Sequence, residues 1–334
     1  MKKGKLLALM LAIALLLSAC AQAELPENPP EEVTAPAEEV PVQEEVPAAE
    51  EPNDLEVITV SESEENLTAP KGLITNAEDM PRIDGSTACI PLMLKVLEKA
   101  CGLDEEEAQP YFTASGTQNC WNHLYQYDAD LVLAYEIPEE TEEQYDRNLL
   151  DITPIGRDAL VFLVNERNPI TNLTQQQLID IYTGKITNWA QVGGDDEEII
   201  PIQRDASSGS QTLFRKLLMK DVEPMEVPLE YQITMMDELV EEIANYDNSK
   251  NDLGFSVYYY VSQMKNEPGI RLLSVDGVAP TNETIADGTY PLTNDFFAAI
   301  RTGTQKKGTR LLYDWICSEE GKQCLIDAGY VPAD

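Results

Sequence analysis

An α/β fold of two lobes, each a mainly parallel sheet flanked by helices, is what the sequence predicts for residues 71–334, on three observations. Short apolar runs of strand length alternate with stretches of helical periodicity, the pattern of a largely parallel sheet. The 264 residues concerned exceed what one compact core comfortably uses. Three loops rich in Ser, Thr and Gly, at 84–87, 115–117 and 203–211, each open a helix. Loops so placed lie beyond the carboxyl ends of the strands, where such sheets bind ligands.

The chain begins with Lys2, Lys3 and Lys5 ahead of an apolar run over 6–17, too short to span a bilayer and charged like a secretory signal, so residues 1–19 read as a signal peptide. Leu17-Ser18-Ala19-Cys20 resembles the lipobox of bacterial lipoproteins, which implies acylation of Cys20; ordinary cleavage beside a chance cysteine is the alternative. Two or three acyl chains hold a protein stably where one does not, so the expected location is the extracellular face of the cell membrane, through a lipid anchor. Residues 20–70 follow as a tether. Positions 21–70 carry no Lys or Arg, 15 Asp or Glu and 8 Pro, too little apolar surface to offset the entropy of ordering.

The full chain has a net charge of −37. Within 71–334, 20 Lys and Arg stand against 45 Asp and Glu, a net −25, which excludes nucleic acid and anionic lipid as partners of the mean field. An anion bound here is held by local dipoles and hydrogen bonds.

Strands are expected at 129–134, 159–165, 199–203 and 253–261. Helical spacing joins Ile90, Met93, Leu94 and Leu97; Leu178, Ile181 and Tyr182; and Leu213, Phe214, Leu217 and Leu218. Thr174 and Gln177 have the spacing of a capping box, and Gly184 supplies a left-handed stop. The first turn of a helix has unpaired N–H groups and the positive end of its dipole, so the three loops together with Arg204 form a candidate oxyanion cage. Each loop alone is equally what ordinary caps and turns use.

Catalytic readings fail on spacing. Ser207 and Ser208 are in no nucleophile elbow, and any Ser-His-Asp triad would need His123, the one histidine. Residues 303–309 imitate a phosphate loop without its lysine, and 247–252 imitate a calcium loop with Asp252 where glycine is required. His123, beside Trp121 and Leu124, is expected to pack. No cysteine pair has zinc-knuckle spacing, so neither metal nor cofactor is expected. Cys89, Cys101, Cys120, Cys317 and Cys324 leave their pairing open, including a bridge between Cys317 and Cys324.

Residues 150–189, with Thr153-Pro154-Ile155-Gly156 and Asp180-Ile181-Tyr182-Thr183-Gly184-Lys185-Ile186-Thr187-Asn188-Trp189, then 204–212, Leu253-Gly254-Phe255, Tyr290-Pro291-Leu292 and Gly329-Tyr330-Val331-Pro332, resemble the substrate-binding lipoproteins of ABC-type phosphate importers. The resemblance covers nearly all of 80–334. It implies a hinged periplasmic-binding-protein fold of type II, with 71–156 and 277–334 forming one lobe and 157–276 the other. The crossings would fall near Pro154 and at 275–290.

It also implies the ligand set: Ser86, Thr87 and Ala88 in the first loop, Thr117 in the second, Arg204 as a bidentate donor, and Ser208, Gly209 and Ser210 at a helix start in the other lobe. Glu136 stands where the family places an aspartate that accepts a proton from phosphate, which would disfavour sulfate; a solvated acid is the alternative. Ala206 stands where an acid often orients the arginine. The resemblance therefore implies a monomeric, non-enzymatic receptor that delivers phosphate to ABC permease subunits. Alternatives are a receptor for sulfate, tungstate or molybdate, or a sensor or surface-interaction lipoprotein that has kept the fold without transport.

Overall fold

The computed structural model describes residues 70–244 and 250–333. The expected signal peptide, Cys20 and the tether to residue 69 lie outside the described residues.

Twelve strands occur in chain order among the described residues: β1 Ile83–Gly85, β2 Leu131–Ala134, β3 Leu150–Asn165, β4 Asn172–Leu173, β5 Ile200–Pro201, β6 Gln203–Arg204, β7 Gln232–Ile233, β8 Asp252–Val257, β9 Ile270–Leu272, β10 Ser274–Val275, β11 Thr293–Arg301 and β12 Val331–Pro332. The principal sheet runs β1-β2-β11-β3-β8-β5, with β9 and β12 also paired to β3.

β3 organises this sheet. Its first half pairs with β11, from Leu150↔Arg301 to Ala159↔Thr293, and its second half pairs with β8 and β9 through 160–165. Residues 158–165 are all buried, as expected of a strand covered on both faces.

The sheet is mixed, which corrects the mainly parallel expectation. β3 is antiparallel to β8, β9, β11 and β12, and β11 is antiparallel to β2. Parallel pairing is confined to β1 with β2, β5 with β8, and the small sheets β4 with β10 and β6 with β7. The cause is that β3 and β11 run side by side as an outward and a returning pass of one chain, and such passes are necessarily antiparallel. Alternation of strand and helix along the sequence carries no sign of that return.

The expected helices form. Ile90–Cys101 buries Met93 and Leu97, Gln175–Tyr182 has the Thr174–Gln177 capping box, and Gly184 is left-handed at φ +73°. The third is a short α-helix, Gly209–Leu213, continuing as a π-helical segment over Phe214–Met219. The expected strand at 253–261 is strand only to Val257; the chain then turns helical. In the core, the rings of Phe214 and Phe255 stack at 4.4 Å and Phe162 and Tyr182 close around them. Cys317 falls between the helices Lys307–Ile316 and Glu319–Asp327, and it and Cys324 are free thiols, as are Cys89, Cys101 and Cys120.

At the start of β2, Asp130 receives Arg82, Arg301 and Lys306 within 3.3 Å. Burial opposes its ionisation, but the hydrogen bonds from the Arg82 side chain and N–H and the charges of Lys306 and Arg82 outweigh it and hold the carboxyl well below its usual range. Asp252 is the opposite case. Burial and the charge of Glu242 raise its carboxyl to about 7. In the unfolded chain that carboxyl ionises near pH 4, so between about pH 4 and 7 the folded state binds the proton more tightly and stability declines as pH rises. Asp252→Asn is expected to stabilise the protein at pH 8 by on the order of 1–3 kcal/mol, with the gain vanishing near pH 4. Urea unfolding at the two pH values measures this; an equal effect at both would contradict it.

Candidate functional site

The three loops meet. One cavity of about 350 Å³ is lined by Ser86, Thr87 and Ala88 after β1, by Ser115, Gly116, Thr117 and Asn119 at the start of the helix Thr117–Tyr125, and by Tyr135 after β2. Its opposite wall is Arg204 on β6, Ser207–Ser210 leading into Gly209–Leu213, Thr234–Asp237 at the start of the helix Met236–Ala244, and Val257 ending β8. Of the nine residues expected to contact ligand, Ser86, Thr87, Ala88, Thr117, Arg204, Ser208, Gly209 and Ser210 line this cavity and Glu136 does not.

Local chemistry sets the first wall. Asp84, buried on β1, accepts from the N–H of Gly85 at 2.7 Å and from the N–H and hydroxyl of Ser115 at 3.0 and 2.6 Å. It thereby ties the second loop to the first. His123 Nδ1 is 2.7 Å from the same carboxylate, so the histidine expected to pack instead braces this junction. Gly116 follows with φ +92° and ψ 164°, a region open essentially to glycine alone. The Ser86 and Thr117 hydroxyls are 2.8 Å apart, and the Tyr135 N–H donates to Ser86 Oγ at 3.3 Å.

Arg204 dominates the second wall. It is 6% exposed, and its guanidinium donates through Nε to the Ile233 carbonyl at 2.9 Å, through Nη2 to the Thr234 carbonyl at 2.8 Å and through Nη1 to Ser210 Oγ at 3.5 Å. The parallel pairing of β6 with β7 brings those carbonyls to it. This is what orients the arginine where Ala206 offers no acid. Asp205 is spent on its own loop, accepting from the N–H and hydroxyl of Ser207 at 2.9 and 2.6 Å. Burial lowers the Arg204 pKa to about 10 against the opposing charges of Asp205 and Glu238, which leaves it a cation at neutral pH. No carboxylate among the described residues pairs with it within 4 Å. Ser208 and Ser210 hydroxyls lie 3.0 Å apart beside it.

The two walls touch at Gly209. A Cβ there would come within 2.2 Å of Thr117 Oγ1, so glycine is what permits this approach.

Glu136 is placed elsewhere. Its carboxylate takes Lys216 Nζ at 2.6 Å and Arg147 Nη1 at 3.6 Å, because the residue after Tyr135 points to the other side of the extended chain. A ligand-facing role is not what its position provides.

The sequence reading missed the fourth helix start at Met236 and missed Tyr135. Tyr135 is buried, donates its hydroxyl proton to Asp158 Oδ2 at 2.6 Å, and receives Trp121 Nε1 on its carbonyl at 2.9 Å. Its position directly before Glu136 was the available signal.

The chemistry of the cavity is that of an anion receptor: one buried cation, a set of hydroxyls, and helix starts from both walls. Comparison with known proteins agrees with this architecture. The phosphate-binding protein PstS of Borreliella burgdorferi is 24% identical over 262 residues, covering 76% of this chain and 90% of that protein. PstS of Bacillus subtilis strain 168 is 26% identical over 256 residues, covering 75% and 79%. Among solved structures, an ABC-type phosphate transport receptor from Vibrio cholerae aligns with a TM-score of 0.58 and 26% identity, over 75% of this chain and 98% of that one. The sequence profile of the PBP superfamily domain matches residues 74–320. With that match spanning every strand but β12 and both walls of the cavity, the chain belongs to the PBP superfamily.

Proposed function

We propose that this chain is a solute-binding lipoprotein that captures inorganic phosphate between two hinged lobes and delivers it to the permease of an ABC importer, without catalysing a reaction. The observation that carries the reading is Arg204: a guanidinium removed from water, hydrogen-bonded to neutral acceptors and in ion-pair contact with no carboxylate of the described residues, is matched electrostatically by an anion. The names of the relatives and of the solved receptor point to phosphate as that anion.

In this reading, 71–156 with 277–334 form one lobe and 157–276 the other, so the cavity lies between them and the hinge is the two crossings, one within β3 near Pro154 and one at 275–290. Closure then brings the donors of Thr87, Ala88 and Thr117 against those of Arg204, Ser208, Gly209 and Ser210, and the closed shape is what the permease reads. Acylation at Cys20 and the acidic tether would hold a monomer off the extracellular face of the membrane. Sulfate, tungstate and molybdate are the competing ligands, and the displacement of Glu136 from the cavity is the observation that keeps them in contention.

Titration calorimetry of the protein with phosphate and with sulfate tests the reading; a saturable single-site isotherm with phosphate is expected, and no heat with either anion would overturn it. Arg204→Ala is expected to weaken phosphate binding by at least ~2 kcal/mol, the scale of hydrogen bonds to charged groups; an unchanged Kd would remove it from the site. Gly209→Ala, which puts a methyl group into Thr117, is expected to cost about tenfold in affinity by obstructing closure, with thermal stability little changed. Glu136→Gln is expected to leave the ratio of phosphate to sulfate affinity unchanged, as calorimetry of both anions would register.

A further inference from the structure

The cavity is larger than the bare anion it would hold. At about 350 Å³ it has room for on the order of ten waters at about 30 Å³ each, whereas a tetrahedral oxyanion displaces only a few. Separation of the walls is not the reason, because they already touch: a Cβ on Gly209 would come within 2.2 Å of Thr117 Oγ1. Space therefore remains beside the donors with the walls in contact, and its volume is that of pockets that take small organic molecules.

Part of the lining is apolar, and it comes from both walls. Met235 and Met236 directly follow Thr234, whose carbonyl takes Arg204 Nη2; Ala114 directly precedes Ser115 of the second loop; Val257 ends β8. Met235 is 58% exposed, a large apolar side chain open to solvent beside a buried cation. An inorganic anion gains nothing from such neighbours, whereas an organic group removes them from water.

The distribution of protons favours the same kind of ligand. The Ser86 and Thr117 hydroxyls share one hydrogen bond and keep one proton to give, as do those of Ser208 and Ser210. Among the described residues of the lining the one carboxylate is Asp237, half exposed and engaged by Lys265 at 3.1 Å. A P–OH group adds a further donor to this site of donors. In a phosphate monoester, whose second pKa is near 6, an ester oxygen stands in that position, and at pH 7.5 the head keeps about two negative charges and its acceptor oxygens.

We propose that the cavity takes small phosphate monoesters with an uncharged organic group more tightly than free phosphate, the phosphoryl head on Arg204 and the helix starts and the organic group against Ala114, Met235, Met236 and Val257. This rests on the reading of the cavity as a phosphate site and names the form of phosphate that it suits. An acidic organic group is disfavoured by Asp237 and by the net negative charge of the chain.

The test is calorimetry at pH 7.5 with inorganic phosphate, butyl phosphate and glycerol 3-phosphate, on wild type and on Met235→Gln, which keeps the size of the side chain and makes it polar. Wild type is expected to bind both esters at least about tenfold tighter than phosphate and in competition with it, tenfold being the scale of one unmet donor. Met235→Gln is expected to cost butyl phosphate at least about threefold more than it costs phosphate, the scale of a partly buried apolar contact. Phosphate binding without ester binding, esters no tighter than phosphate, esters that do not compete with it, or equal losses of butyl phosphate and phosphate in Met235→Gln would each overturn the inference and leave the phosphate reading standing. Wild type binding none of the three would overturn that reading, and this inference with it.

Discussion

A guanidinium buried without a carboxylate in ion-pair contact is the constraint on which the rest of the structure depends. Taking Arg204 out of water costs several kcal/mol unless something of opposite sign compensates, and the fold supplies only partial compensation: the Ile233 and Thr234 carbonyls and the Ser210 hydroxyl. Those acceptors fix the direction of the group and leave its charge unneutralised. The short parallel pairing of β6 with β7 exists where it can present them. The cavity therefore has a built-in demand for an anion, and its neutral hydroxyls and helix starts give that demand a geometry.

The demand is local, which reconciles it with a chain of net charge −37. Fields from exposed acids are screened within about 8–10 Å at physiological salt. Buried donors at contact distance are not. A strongly acidic exterior and an anion-binding interior are compatible because they act over different lengths, and the first loop shows how the structure keeps them apart. Asp84, the carboxylate nearest the loops at 84–87 and 115–117, is spent on the N–H groups of Gly85 and Ser115, the Ser115 hydroxyl and His123. It shapes the wall without facing the cavity as a free charge. Asp158 is treated in the same way, behind the Tyr135 hydroxyl.

Much of this was legible in the sequence. Helix spacing, the Thr174–Gln177 cap and the three Ser/Thr-Gly loops depend on residues close in the chain, and local rules read them well. Eight of nine expected contact residues meet in one cavity for the same reason: a helix start is a local feature, and α/β folds gather such starts at one edge. What escaped depends on long-range contacts. The antiparallel β3–β11 pairing joins residues some 140 positions apart in sequence, so periodicity could not reveal it. His123 looked like a packing residue because its partner, Asp84, lies 39 positions away. Glu136 and Tyr135 are adjacent, and side chains alternate along extended backbone, so a shift of one position exchanges the residue that faces the cavity for the one that faces Lys216 and Arg147.

The most direct measurement is a crystal structure of the protein grown with arsenate, whose anomalous scattering locates the anion independently of model phases. The account predicts one peak in the cavity, within hydrogen-bond distance of Arg204 Nη1, the Thr117 and Ser208 hydroxyls and the N–H groups at the start of Gly209–Leu213. A cavity holding only water, or arsenate bound elsewhere with Arg204 still on the Ile233 and Thr234 carbonyls, would contradict it.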